Sequence, residues 1–204
     1  MEGVAPGVPD AAPRRVCDDG RVAESLAGKL LVASPKLVDP NFHRSVVYLC
    51  GHDENGAFGV IINRPLTDVD VGVHLPGWRA VAAEPKVVFA GGPVEPSVAL
   101  GLARPGRAPA PDEWTLLHHG LGLVNLGSSP DEAGVAEIRV FVGYAGWSAG
   151  QLEGEIEEEA WFVVDSTPGD PFSLDPAGTW RAVLRRQRGK LAMFAFHPPD
   201  PTMN

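Results

Sequence analysis

Apolar residues in this chain come in short runs rather than long stripes, and Gly, Pro, Asn and Asp separate the runs. GKLLVAS, from Gly28 to Ser34, reads as a short buried strand. PKLVDPNF follows as a turn, marked by Asp39-Pro40-Asn41. SVVYLCGH, from Ser45 to His52, is apolar on both faces and holds β-branched and aromatic residues, the pattern of a central strand. DENG, from Asp53 to Gly56, reads as a four-residue loop. AFGVIINRP then returns as the second strand of a hairpin, which Pro65, lacking an N–H, should end.

KVVFAGGPV predicts a strand that runs into a Gly-Gly-Pro turn. VALGLA, GLGLVNLG, EIRVFVGYAG and WFVVD predict further strands, and LAMFAFH, from Leu191 to His197, a last one. RPGRAPAPDEW reads as a Pro-rich loop. Residues 66–84 are mixed and show no clear period. QLEGEIEEE predicts one helix. The stretch from Trp180 to Arg188 predicts another, with Trp180, Val183 and Leu184 on one face. Repeats are absent, and so is strict strand–helix–strand alternation. Most strands follow one another through short links, which points to an α+β fold with mainly antiparallel pairing.

The chain has 204 residues, 44% of them hydrophobic, which suits one domain of ordinary size. Residues 1–24 are rich in Pro, Gly, Ala and charge and predict a disordered tail ahead of a domain over 25–204. The net charge of −9 argues against direct nucleic-acid binding, which needs clustered Lys and Arg to neutralise phosphates. Cys17 and Cys50 make no disulfide framework, and the histidines show no metal spacing, so no metal or cofactor is expected. The first residues lack a basic segment followed by an apolar run, and no stretch has the length of a membrane helix. Those observations predict a cytoplasmic protein without a membrane partner.

GWSAG, from Gly146 to Gly150, matches the nucleophile-elbow pattern G-x-S-x-G, with a strand-like run before it and a helix-like run after it. Asp165 or Asp175 and then His197 follow in the triad order of hydrolases with that elbow. Only 49 residues separate Ser148 from His197 (197 − 148), little room for the crossovers of a parallel sheet. Ser148 also has a structural task. Ser148-Ala149-Gly150-Gln151 fits a capping box, in which the serine oxygen accepts the Gln151 N–H and the Gln151 side chain returns to the serine N–H. The cap is the expected role, and no catalytic residue is assigned.

Several blocks in order carry a more specific signal. GKLLVASPKLVDPNFHRSVVYLCGHDENGAFGVIINRP, FAGGPV, GYAGWSAGQLEGEIEEEAWF and the terminal PDPTMN resemble the YqgE/AlgH family of bacterial proteins. The resemblance runs from Gly28 to the end. It implies one compact domain with a bifurcated, largely antiparallel β-sheet, including a small closed barrel, surrounded by helices. It implies no known reaction, and it brings an association with transcriptional regulation through alginate control.

Candidate binding residues follow from the residues themselves. Asn63 and Arg64 close the second hairpin strand, and Asn41 and Arg44 lie in the turn before the first. If those ends meet, two guanidinium groups and two amides converge on an anion; the plainer expectation is that they satisfy loop backbone groups. Gly91 and Gly92 can expose backbone N–H groups to an anion or simply form a tight turn. Tyr144 and Trp147 flank the acidic helix and line a pocket or join the core, with Gln151 beside them. The run Glu155, Glu157, Glu158 and Glu159 predicts a solvated face, and Arg181, Arg185 and Arg188 a basic one. The leading expectation is a non-enzymatic protein that binds a protein partner or a small anionic ligand, with a possible regulatory role. A hydrolase of anionic small molecules is the alternative, and a direct DNA-binding regulator the least favoured.

Overall fold

The computed structural model describes residues 25–106 and 114–198. The N-terminal tail, Cys17, most of the Pro-rich loop and the PDPTMN end lie outside the described residues. Among the described residues ten strands follow in chain order: β1 (Lys29–Ala33), β2 (Val46–Asp53), β3 (Gly56–Ile61), β4 (Pro65–Asp70), β5 (Val87–Ala90), β6 (Val94–Pro105), β7 (Trp114–Leu116), β8 (Gly122–Val124), β9 (Val135–Ser148) and β10 (Trp161–Asp165). Five α-helices accompany them: α1 (Val71–His74), α2 (Pro130–Ala133), α3 (Gln151–Glu157), α4 (Thr179–Arg185) and α5 (Lys190–Phe194).

The longest strand, β9, explains the topology. One of its edges carries β6 antiparallel along most of its length. The other edge is shared: β5 pairs in parallel at Phe141 and Val142, then β3 takes over antiparallel from Ala145 to Ser148. The sheet therefore forks at β9. Its order is β10-β1-β2-β3-β9-β6-β8-β7, with β4 attached through β5. Apart from the β5–β9 pair, the strand pairs are antiparallel. The sheet curls into an open half-barrel, which bears out the bifurcated, largely antiparallel sheet implied by the family resemblance but not the closure of its small barrel.

Strand pattern and burial agree where the runs are apolar on both faces. Residues 30–33 of β1 and 46–50 of β2 are buried throughout. Leu30, Val32, Val46 and Tyr48 face α4 and α5 in one cluster with Trp180, Val183 and Leu184. Leu31, Val47 and Leu49 face the other way, under α3. A further cluster around Trp78, Trp114 and Ile138 packs on one face of β5, β6, β8 and β9.

Three local expectations change. Asp53 pairs with Gly56, so the hairpin turns on Glu54 and Asn55 alone rather than on four residues. The Asp53 carboxylate accepts the Asn55 N–H at 2.8 Å and tightens that tip. Residues 66–84, unreadable by period, form β4, α1 and a 3₁₀ turn from Pro76 to Trp78. LAMFAFH is not a strand. Its N-terminal part belongs to α5; Leu191, Phe194 and, just past the helix, Ala195 pack on the main core while Met193 and Phe196 stay exposed. Leu, Ala and Met are good helix formers, and the segment docks on α4.

Candidate functional site

One end of the sheet gathers the turn after β1, the start of β2, the end of β3, the residues before β10 and the helix α5. The turn is built by Asp39, whose carboxylate accepts the Asn41 N–H at 2.7 Å and whose carbonyl accepts the His43 N–H at 2.7 Å. Arg44 then takes a left-handed backbone, φ 54°. Asn63 reaches across from the end of β3. Its Oδ1 accepts the Val46 N–H and its Nδ2 donates to the Arg44 carbonyl, both at 2.9 Å. Arg64 donates to the His43 carbonyl at 2.9 Å. So Asn63, Arg64 and Arg44 do meet, and they stitch the turn to the hairpin, while Asn41 stays on its exposed outer side.

The two guanidinium groups go to different partners. The Arg44 group lies 4.4 Å from the centroid of the Trp180 ring and donates to the His197 carbonyl. Burial lowers its pKa, and the nearby Arg181 lowers it further. Burial also lowers that of Arg64, with Asp39 opposing. Both groups are cations held in partly desolvated places, where an approaching anion would be attracted most.

Beside Arg44 opens a groove of about 450 Å³. Phe162, Leu191 and Phe194 line it, with the two phenyl rings stacked at 5.1 Å and 23°. Lys36, Glu159 and Lys190 add charge, and His197, tied to Arg44, also lines it. Its size falls within the roughly 300–1,000 Å³ of small-molecule sites. Glu159 is placed there by the end of α3. The Ala160 N–H bonds the Glu155 carbonyl at 2.9 Å and the Glu159 N–H bonds the Ile156 carbonyl at 3.0 Å, a Schellman closure. That closure puts Glu159 at φ 59°, a position where glycine is at ease. The Glu159 carboxylate then pairs with Lys36, which holds its pKa below the usual range, and Lys190 adds to the effect.

The joint between β9 and α3 holds the remaining candidates. Trp147 is buried and Tyr144 partly so, its ring meeting Phe58 edge-on at 6.5 Å. Both serve the core. Ser148 ends β9 and is not the helix cap; Gly150, at φ 74°, holds that position. Half of the expected box is present. Gln151 Oε1 accepts the Ser148 N–H at 3.1 Å, but the Ser148 hydroxyl donates to the same oxygen instead of accepting the Gln151 N–H. The two intervening residues turn through a left-handed glycine, which carries the serine oxygen away from the helix axis. Asp165 pairs with Lys29, Asp175 accepts the Gly178 N–H at 3.0 Å, and no hydrogen bond joins Ser148, Asp165, Asp175 or His197 to one another. Gly91 and Gly92 lie where β5 leaves β9. A side chain on Gly91 would sit 2.3 Å from the Gly143 carbonyl oxygen, and one on Gly92 2.2 Å from the Tyr144 carbonyl carbon. The Gly91 N–H donates to the Val142 carbonyl at 2.8 Å, so it serves the fork in the sheet.

Comparison with known proteins now decides the family. Residues 30–192 match the model of a family described as AlgH-like. The chain belongs to the AlgH-like family. Its relatives include a UPF0301 protein of Streptomyces coelicolor, 54% identical over 186 residues, which span 88% of this chain and 96% of the relative. One from Mycobacterium leprae is 43% identical over 183 residues, covering 87% and 90%. Among solved structures, the crystal structure of a Corynebacterium diphtheriae protein aligns with TM-score 0.77 at 33% identity, over 83% of this chain and 91% of that one. The solution structure of AlgH from Pseudomonas aeruginosa aligns with TM-score 0.62 at 28% identity, over 87% and 97%. The AlgH-like fold is thus shared along nearly the whole of each neighbour.

Sequence reasoning missed four features of this AlgH-like chain. The acidic run predicts a solvated face for Glu155, yet it is half-buried and accepts from Trp147, Trp161 and Gln151. Its spacing from Gln151, four residues, was the available signal. Glu159 and the Phe162/Phe194 floor needed the docking of α5, which no local pattern shows. Arg139, on β9, is 2% exposed and has no carboxylate partner among the described residues. It donates to the Glu84 and Ser173 carbonyls and lies 4.3 Å from the centroid of the Phe89 ring, and its Nε is unpartnered. Burial lowers its pKa to about 10, and Glu137 opposes that shift.

Proposed function

We propose that this protein is a cytoplasmic, non-enzymatic binding protein that takes a small anionic ligand with an apolar body in the groove beside Arg44. The observation that carries the reading is the pairing of an apolar aromatic floor, Phe162 against Phe194, with Lys36 and Lys190. The floor would bury the ligand's apolar part, and the lysines would attract its charge. Support comes also from the backbone: Glu159, a non-glycine residue with left-handed φ, lines this groove. Such strain gathers where a side chain has a task. A regulatory role would then run through the ligand or a partner that senses it, because a net charge of −9 opposes direct contact with DNA phosphates.

The test is a fluorescence titration with 8-anilinonaphthalene-1-sulfonate, an aromatic anion, and with its uncharged counterpart N-phenyl-1-naphthylamine. Saturable binding of the anion is expected, several-fold tighter than the neutral probe and weakened by Lys190→Gln and by Phe194→Ala. Equal binding of both probes, or indifference to both substitutions, would sink the reading.

A further inference from the structure

Among the described residues that line the groove one carries negative charge, and its placement is unusual. Glu159 stands at a helix end where its left-handed backbone favours glycine, and the carboxylate so placed meets Lys36 across the groove wall. Lys190, also in the groove's lining, attracts it too. A ligand's anion entering the groove would need the same two ammonium groups. The Lys36 and Glu159 side chains are 67% and 69% exposed, so their pair is hydrated, weak and readily exchanged.

We infer that Glu159 is a built-in competitor: its carboxylate occupies the anion position of the empty groove and is displaced when a ligand's anion pairs with Lys36 and Lys190. The inference rests on the binding reading above. Displacement requires no backbone motion, because the Schellman closure is made by the main chain and survives a swing of the Glu159 side chain. Glu159 thereby sets a threshold. An uncharged molecule fits the aromatic floor without disturbing the ion pair, whereas an anion replaces one carboxylate by another group of like charge. The groove then selects anions that bring enough apolar surface to outweigh the lost internal pair.

The experiment uses the full chain and the same two probes. Glu159→Gln keeps the size and hydrogen-bonding reach of the side chain but removes its charge. It is expected to tighten binding of the anilinonaphthalene sulfonate about threefold to tenfold at low ionic strength. The gain should shrink in about 0.5 M salt, where the Debye length is only a few ångströms. Binding of the neutral probe should not change, and in a Lys36→Gln background the gain in anion binding from Glu159→Gln should be smaller, because only the competition at Lys190 is then relieved. Two results overturn the inference while leaving the groove in place: no tightening by Glu159→Gln although Lys190→Gln and Phe194→Ala still weaken the anion, or equal tightening for both probes. If Lys190→Gln and Phe194→Ala are also without effect, the groove reading itself fails, and the competitor with it.

Discussion

The indole N–H groups of Trp147 and Trp161 donate to the same atom, Oε2 of Glu155, at 3.0 and 2.8 Å. Their rings meet edge-on at 5.9 Å. One carboxylate thus joins the end of β9 to the start of β10 through α3. Glu155→Ala would leave two buried indole donors without an acceptor and is expected to destabilise the fold by about 2–4 kcal/mol. Glu155→Gln keeps an acceptor oxygen and should cost about half of that or less. Urea unfolding followed by tryptophan fluorescence measures both.

Ser148 contributes only a hydroxyl donor to an oxygen that already serves its own backbone N–H. Ser148→Ala should therefore change stability by less than about 0.5 kcal/mol. Gln151→Ala loses that acceptor and also the 2.9 Å bond to Glu155, and should cost about 1–2 kcal/mol. A larger loss from the serine than from the glutamine would reverse the assignment of the joint.

Asn63 satisfies two backbone groups at once, the Val46 N–H and the Arg44 carbonyl. Asn63→Ala should lower stability by about 1–3 kcal/mol. It should also loosen the turn that positions Arg44, so exchange of the Val46 amide hydrogen is expected to speed up before that of the β2 amides deeper in the sheet. Uniform protection across β2 in the variant would contradict this.

Arg139 carries a buried charge that two carbonyls and a phenyl ring support. Arg139→Ala would leave those carbonyls unpaired around a cavity, and a loss of about 3–5 kcal/mol is expected. Arg139→Met fills most of the space without a charge to desolvate and should be the milder change. Denaturant midpoints for the two variants, compared side by side, decide the order.

Cys50 lies wholly inside β2, and burial pushes its thiol up to about 12 from an ordinary 9.0. Its folded form therefore keeps the proton that the unfolded form releases above pH 9. The sign follows: this contribution to stability is complete below pH 9 and is lost as pH rises towards 12. In a Cys17→Ser background, unfolding midpoints from pH 8 to 10.5 should fall more steeply with Cys50 present than in Cys50→Val. The native thiol should react with a disulfide reagent at pH 8 only as fast as the protein opens.

Much of the fold was legible because strand runs apolar on both faces, Gly-rich turns and the cap-like joint are local signals. The Lys29–Ala33, Val46–Asp53 and Trp161–Asp165 strands follow from them directly. The last segment was not legible. LAMFAFH is apolar enough for a strand, but its N-terminal part is helical and docks on α4, a contact that no local pattern shows. The candidate site divides the same way. Asn63, Arg64 and Arg44 are near-neighbours of predicted strand ends, so their meeting was readable. Their separate partners, Trp180 and His197 for Arg44 and His43 for Arg64, depend on helices more than a hundred residues away or on a single backbone twist.

Sequence by itself determined the α+β class, the hairpins, the family and the helix that follows Ser148, because each rests on contacts between residues near in the chain or on the order of whole blocks. Tertiary structure alone decided that β9 is the fork, that Glu155 is an interior acceptor, and that Glu159 faces Lys36 beside an aromatic floor. The physical reason is distance along the chain. Lys36 and Glu159 are separated by 123 residues, and only the closing of the sheet through β1 and β10 brings their charges together.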